Sequence, residues 1–158
     1  MQEFRFDDRH VTWQRVQPID AQVYVLAMDA ALGIADVLIR FEPDRPGRLH
    51  RHVCDFSTFV VQGELRFWRP DGSLREIRPT GSHVRVAAHG EPHAEGAGSQ
   101  AAIVLFSFRG STGDMILYLG EGSEVVFRLG FPEFEAVLAQ QVATGATAKL
   151  APRLVPAG

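Results

Sequence analysis

The 158-residue sequence contains a single cysteine, Cys54. One thiol excludes an internal disulfide framework, and cysteine-only metal motifs go with it. No basic block stands out either. Sixteen Lys and Arg face nineteen Asp and Glu, giving a formal net charge of −3 and a pI near 6.0. The electrostatic footprint of a nucleic-acid-binding surface is therefore missing. Long apolar runs are absent: the longest, Ala101 to Phe108 broken only by Ser107, is far too short to span a bilayer. The first ten residues, MQEFRFDDRH, lack the apolar stretch of a signal peptide, so the expected location is cytoplasmic. No internal repeat or low-complexity tract appears.

What remains is the composition of a globular domain, 46% hydrophobic and 22% charged, with a mean hydropathy of −0.03. A chain of this length buries roughly two-thirds of the surface its unfolded form exposes. The expected organisation is one domain over residues 1–141 and a loosely ordered tail over 142–158. Fifteen glycines and nine prolines cut the chain into short pieces, as strands and turns require. Strands are expected at Val11 to Arg15, Gln22 to Asp29, Ala35 to Phe41, Ser57 to Trp68, Leu74 to Ile77 and His83 to Ala87. Ala101 to Arg109, Met115 to Leu119 and Val125 to Arg128 continue the series. Asp71-Gly72 marks a hairpin, because glycine accepts positive φ without steric penalty.

One stretch breaks the pattern. From Phe131 to Gln141, helical spacing puts Phe134, Val137, Leu138 and Gln141 on one face. Pro132 suits a first turn, and Glu133 and Glu135 favour the positive end of the helix dipole. Such a helix would cover the barrel or meet a partner. Many short strands with one late helix predict an all-β fold, an antiparallel sandwich or barrel of the jelly-roll kind with a C-terminal helix.

The chemistry concentrates in LHRHVCDFSTFVVQGEL, residues 49–65. On a strand, residues i and i+2 share a face about 6–7 Å apart, so His50 and His52 can aim two imidazoles at one point. His93, just past a turn of small residues, is the natural third ligand. Three imidazoles suit Zn, Fe, Ni or Cu, and affinity alone does not choose among them. Cys54 shares the histidine parity and is a weaker alternative ligand. A buried, inert thiol is the commoner fate of a lone cysteine. His83 and His10 receive no role.

Pro46-Gly47-Arg48-Leu49-His50-Arg51-His52 with Phe59-Val60-Val61-Gln62-Gly63-Glu64-Leu65 resembles the first motif of the cupin superfamily (RmlC-like jelly roll). Gly81 through Pro92-His93 resembles the second. The resemblance covers roughly residues 35–109 and implies a jelly-roll barrel with a metal inside. Such motifs usually take a glutamate from the first stretch, but its slot here holds Phe56. Asp55, beside it, has the opposite parity and would face away. The resemblance therefore points to the acetylacetone dioxygenase and 2,4'-dihydroxyacetophenone dioxygenase group, which binds non-haem iron through three histidines. The second motif runs one residue long, and His89 falls where glycine is usual, making it another weaker ligand candidate.

The function this implies is an Fe(II)-dependent dioxygenase that uses O2 to cleave a C–C bond of a small diketone or aromatic hydroxyketone. Zn, Ni, Mn and Cu are alternative metals. Gln62, Glu64, Arg66 and Arg109 are candidates to support the ligands, and Phe56, Phe59, Trp68, Phe106 and Phe108 to wall a substrate pocket. The rival readings are a zinc-binding cupin sensor or ligand-binding module, and a metal-dependent isomerase, cyclase or lyase. A homodimer or higher oligomer is expected from the resemblance.

Overall fold

A computed structural model describes residues 5–17 and 19–145. Strands dominate: β1 (Gln14–Arg15), β2 (Ala21–Asp29), β3 (Ile34–Phe41), β4 (His50–His52), β5 (Asp55–Gln62) and β6 (Glu64–Trp68). Then follow β7 (Leu74–Pro79), β8 (His83–Val86), β9 (Ala94–Ala97), β10 (Ala102–Arg109), β11 (Asp114–Leu119) and β12 (Val125–Gly130), before helix α1 (Phe131–Ala143). The described pairings are all antiparallel. One layer is a six-stranded sheet in the order β1-β2-β3-β10-β5-β8. The other consists of two three-stranded sheets, β12-β11-β4 and β7-β6-β9.

A single residue pair joins those two small sheets. His50 N–H donates to His93 O and His93 N–H to His50 O, each at 2.9 Å. The seam of the second layer thus runs through two of the candidate ligands.

Alternation explains the barrel. In β5, Phe56, Thr58 and Val60 are buried while Asp55 and Phe59 face out. In β10, Val104, Phe106 and Phe108 point inward against Val37, Ile39 and Phe56. The outer face of the large sheet carries Tyr24, Leu38 and Ile103, covered by Phe6, Val11 and Trp13 of the N-terminal arm. The arm is pinned there by Phe6 N–H on Gln62 Oε1 at 2.7 Å and by Arg40 Nη1 on Asp8 Oδ2 at 3.4 Å.

The strand expected over Ser57 to Trp68 divides at Gly63, where φ is +73°. A Cβ there would lie 2.6 Å from the carbonyl oxygen of Ala101. Only glycine lets the chain turn this corner from the large sheet into the small one.

Helix α1 runs two residues beyond the expected end and buries Phe131, Phe134, Val137 and Gln141. It packs on the barrel against β2 and β12. Glu133 accepts the Gly130 N–H at 2.8 Å, closing the first turn. Gln141 is wholly buried: its Oε1 accepts from Val25 N–H at 2.7 Å and its Nε2 donates to Val25 O at 2.9 Å. Residues 142–145 finish the helix and its turn, and the rest of the expected tail lies outside the described residues.

Candidate metal centre

The short strand β4 points both of its histidines into the barrel, and each is only 3% exposed. On one side it pairs with β11, setting Tyr118 opposite His50 and Ile116 opposite His52. On the other, the seam pair brings in His93. Two residues further along, β9 carries Glu95 onto the same face. His50, His52, His93 and Glu95 are all buried, and one ligand atom from each lies within 4.8 Å of the others.

Glu95 went unrecognised at the sequence level, where the acid was sought only in the first motif. Its signal was the i, i+2 spacing of His93 and Glu95, the same parity that links His50 to His52. The site that three histidines were expected to form alone thus has a carboxylate, delivered from β9 instead of β5. Phe56 fills the vacated slot. Its ring stacks on His52 with centroids 3.9 Å apart and planes 22° apart.

The donor set fits a divalent ion. His50 Nδ1 lies 2.9 Å from Arg48 O and His93 Nδ1 lies 3.1 Å from Glu91 O. A carbonyl only accepts, so each Nδ1 holds the proton and each Nε2 keeps its lone pair for the centre. His50 Nε2, both ring nitrogens of His52, His93 Nε2 and Glu95 Oε2 are buried without a hydrogen-bond partner. Buried polar atoms seldom go unpaired, and so many converging on one point call for a cation. Borderline imidazole with one hard carboxylate suits Fe, Zn, Ni, Mn or Cu alike.

Charge within the cluster is strongly coupled. Burial raises the carboxyl pKa of Glu95, but the three imidazoles outweigh it and draw the value down to about 2. Burial also opposes a proton on His50, yet Glu95 Oε1, 3.4 Å from its Nε2, leaves the pKa raised. His52 and His93 are lowered, chiefly by burial.

The remaining expected site residues are engaged elsewhere. Cys54 is 5% exposed in the apolar core, outside the converging cluster, and burial pushes its thiol up to about 11. Asp55 faces out and accepts Ala88 N–H at 2.8 Å. His89 is exposed at φ +62°, the left-handed conformation that explains a usual glycine there, and its N–H donates to His52 O. Gln62 holds the N-terminal arm, Glu64 pairs with Arg66, and Arg109 pairs with Asp36 at 2.8 Å.

The expected pocket wall is likewise redrawn. Phe56, Phe106 and Phe108 form solid core behind His52, whereas Phe59 is 40% exposed on the outer face and Trp68 is half-buried at the end of β6. The pocket that reaches His50 and Glu95 is walled by Ile19, Ala21, Ile39, Phe41, Ile116 and Tyr118, with residues 45–48 at its rim. That rim is fastened to β9: Asp44 N–H donates to Gly98 O and Gly47 N–H to Glu95 O, both at 2.8 Å. A Cβ on Gly96 would collide with Arg45 O, so glycine permits the close approach.

Sequence comparison matches the chain to no protein-family model and to no curated protein. Comparison of structures is decisive. An RmlC-like cupin protein from Ralstonia eutropha superposes with a TM-score of 0.68 at 18% identity, over 98% of this chain and 94% of that one. The chain has the cupin fold. An acetylacetone dioxygenase from Acinetobacter johnsonii gives 0.66 at 11% identity, over 89% of this chain and 92% of the dioxygenase. The polyketide cyclase RemF from Streptomyces resistomycificus gives 0.55 at 20% identity, over 68% and 80% of the two chains. No described helix is long and apolar enough to cross a membrane.

Proposed function

We propose that this cupin is a metal-dependent dioxygenase that cleaves a C–C bond in a small diketone or aromatic hydroxyketone, with Fe(II) as its metal. The observation that carries the reading is the convergence of His50, His52, His93 and Glu95 at the inner end of an apolar pocket. The likeness to an acetylacetone dioxygenase supports the reaction class. Iron(II) bound by these four residues would supply the redox chemistry for O2 and a Lewis acid for a substrate oxygen.

The chain's own contributions are binding, orientation and exclusion of water. The carbonyls of Arg48 and Glu91 hold the His50 and His93 rings with Nε2 inward. Phe56, Phe106 and Phe108 close the His52 side. Phe67, its ring 5.4 Å from that of His93, bears on a third side. A substrate therefore approaches past His50 and Glu95. Tyr118, cross-strand from His50 and with rings 5.3 Å apart, places a phenol on the pocket wall. Burial pushes its pKa far above the ordinary phenol value, with Glu95 adding to the shift, so it serves as a neutral hydrogen-bond donor.

Glu95 favours a second reading, a metal-dependent cyclase or lyase. A fourth protein donor leaves fewer open positions than three histidines would, and the likeness to a cyclase agrees with this. One experiment separates the two: anaerobic loading with Fe(II), then oxygen uptake on a panel of diketones and aromatic hydroxyketones. Stoichiometric uptake with cleaved products supports the dioxygenase. Zinc in the purified protein, with no uptake after iron loading, overturns it. The expected homodimer is tested by light scattering on the metal-loaded protein.

A further inference from the structure

The rim of the pocket carries charge that a neutral diketone would not use. Arg45 Nη1 lies 3.3 Å from Asp20 Oδ2, so that guanidinium is already matched. Arg48 is exposed, lines the same pocket and has no ion-pair partner among the described residues. Its position is well defined by its backbone. Gly47 is hydrogen-bonded to Glu95 O, and Arg48 O accepts from His50 Nδ1. Deeper in, a divalent ion held by one carboxylate and neutral imidazoles leaves the centre net positive. Between these two positive points the wall is mainly apolar, Ile19, Ala21, Ile39 and Phe41, and the one carboxylate beside them, Asp20, is held by Arg45.

We infer that the substrate is an apolar monocarboxylic acid with a metal-binding oxygen at its far end, and that Arg48 receives the carboxylate at the rim. This rests on the pocket being the substrate site of the metal centre proposed above. Within the proposed ketone class, it selects ketones that also carry a carboxylate. A guanidinium offers a carboxylate two parallel N–H donors, and charge-assisted pairs of this kind are about twice as strong as neutral hydrogen bonds. The apolar wall then selects for a hydrocarbon or aryl body, which a simple hydrophilic acid lacks.

The test measures binding, not turnover. Zinc-loaded protein is titrated calorimetrically, without oxygen, with 4-acetylbenzoate and with its neutral methyl ester. The acid should bind about tenfold more tightly than the ester, the size of one charge-assisted contact at a partly exposed site. In Arg48→Gln that preference should vanish while ester affinity and zinc stoichiometry stay as in the wild type. Arg45→Gln should reduce it less, because Asp20 already answers that charge. Equal binding of acid and ester, a preference that survives Arg48→Gln, or binding of neither probe would overturn the inference. Because zinc supports no oxygen chemistry, failure of the dioxygenase reading leaves this result unaffected, and the reverse holds too.

Discussion

At the scale of single residues, Glu95 and His93 decide whether the centre holds a metal. Each contributes an atom that is buried without a protein hydrogen-bond partner. His93→Ala should abolish stoichiometric metal retention after dialysis. Glu95→Gln keeps the shape but loses the charge, and should weaken affinity at least about 100-fold, the upper end of what loss of a mere supporting group costs. His89→Gly should behave in the opposite way. It relieves a left-handed backbone at a non-glycine residue, so metal content should stay unchanged while urea unfolding shows a gain of about 1 kcal/mol. The proton count is also set here. In the metal-free protein His50 has a raised pKa, so its proton contributes stability below the ordinary value of 6.5 and that contribution is lost as pH rises through the raised value. His52 and His93 are lowered and already neutral near pH 7. Below that raised value metal binding must expel a proton from His50, and affinity should rise with pH until His50 is deprotonated. Calorimetry in buffers of different ionisation enthalpy should show proton release that shrinks as pH increases.

At the scale of elements, β4 and β9 were the parts hardest to see in the sequence. Three residues of β4 and four of β9 are too short for a period-2 pattern to register, and Glu95-Gly96-Ala97 has little strand propensity. Longer elements such as β2, β3 and β10 were legible because their inward Val, Ile and Phe alternate over eight or nine residues. The histidine parity was legible from the single i, i+2 pair alone, and it set Asp55, which faces out, aside. It also holds for His93 and Glu95, but Glu95 lies outside the first motif, where such an acid is usual. Gly96 explains how so slight a strand can be placed so firmly: it lets residues 44–47 lie directly against it. Gly96→Ala should force that rim segment away, costing about 1–3 kcal/mol, the usual range for overpacking, and lowering metal affinity through the adjacent Glu95. Thermal unfolding with and without zinc measures both effects.

At the scale of the whole molecule, the ligands come from two segments distant in sequence that meet along the seam of the second layer, at the His50–His93 pair and the bonds flanking it. A bound ion would tie those halves of the layer together. Since the unfolded chain has no such cluster, metal should stabilise the fold by mass action, about 2.7 kcal/mol when free metal is 100 times its Kd. Chelation should lower the midpoint of thermal unfolding accordingly. The pocket beside His50 and Glu95 shows the same limit. Of the aromatic residues expected at its wall, Phe56, Phe106 and Phe108 stack as core behind His52. Its lining, Ile19, Ala21, Ile39, Phe41, Ile116 and Tyr118, is distant in sequence and is assembled only by the barrel's topology.

Gln141 has a consequence outside the metal centre. A carboxamide offers one donor and one acceptor much as a peptide group does, and beyond the two-residue β1 it occupies Val25's backbone N–H and C=O. The helix thus serves as a one-residue counterfeit strand that keeps the margin of β2 from recruiting another chain. Stripped of that guard in Gln141→Leu, the margin becomes a template for strand addition, the usual hazard of an open sheet edge. Light scattering should then show self-association that grows with protein concentration, whatever metal the barrel contains.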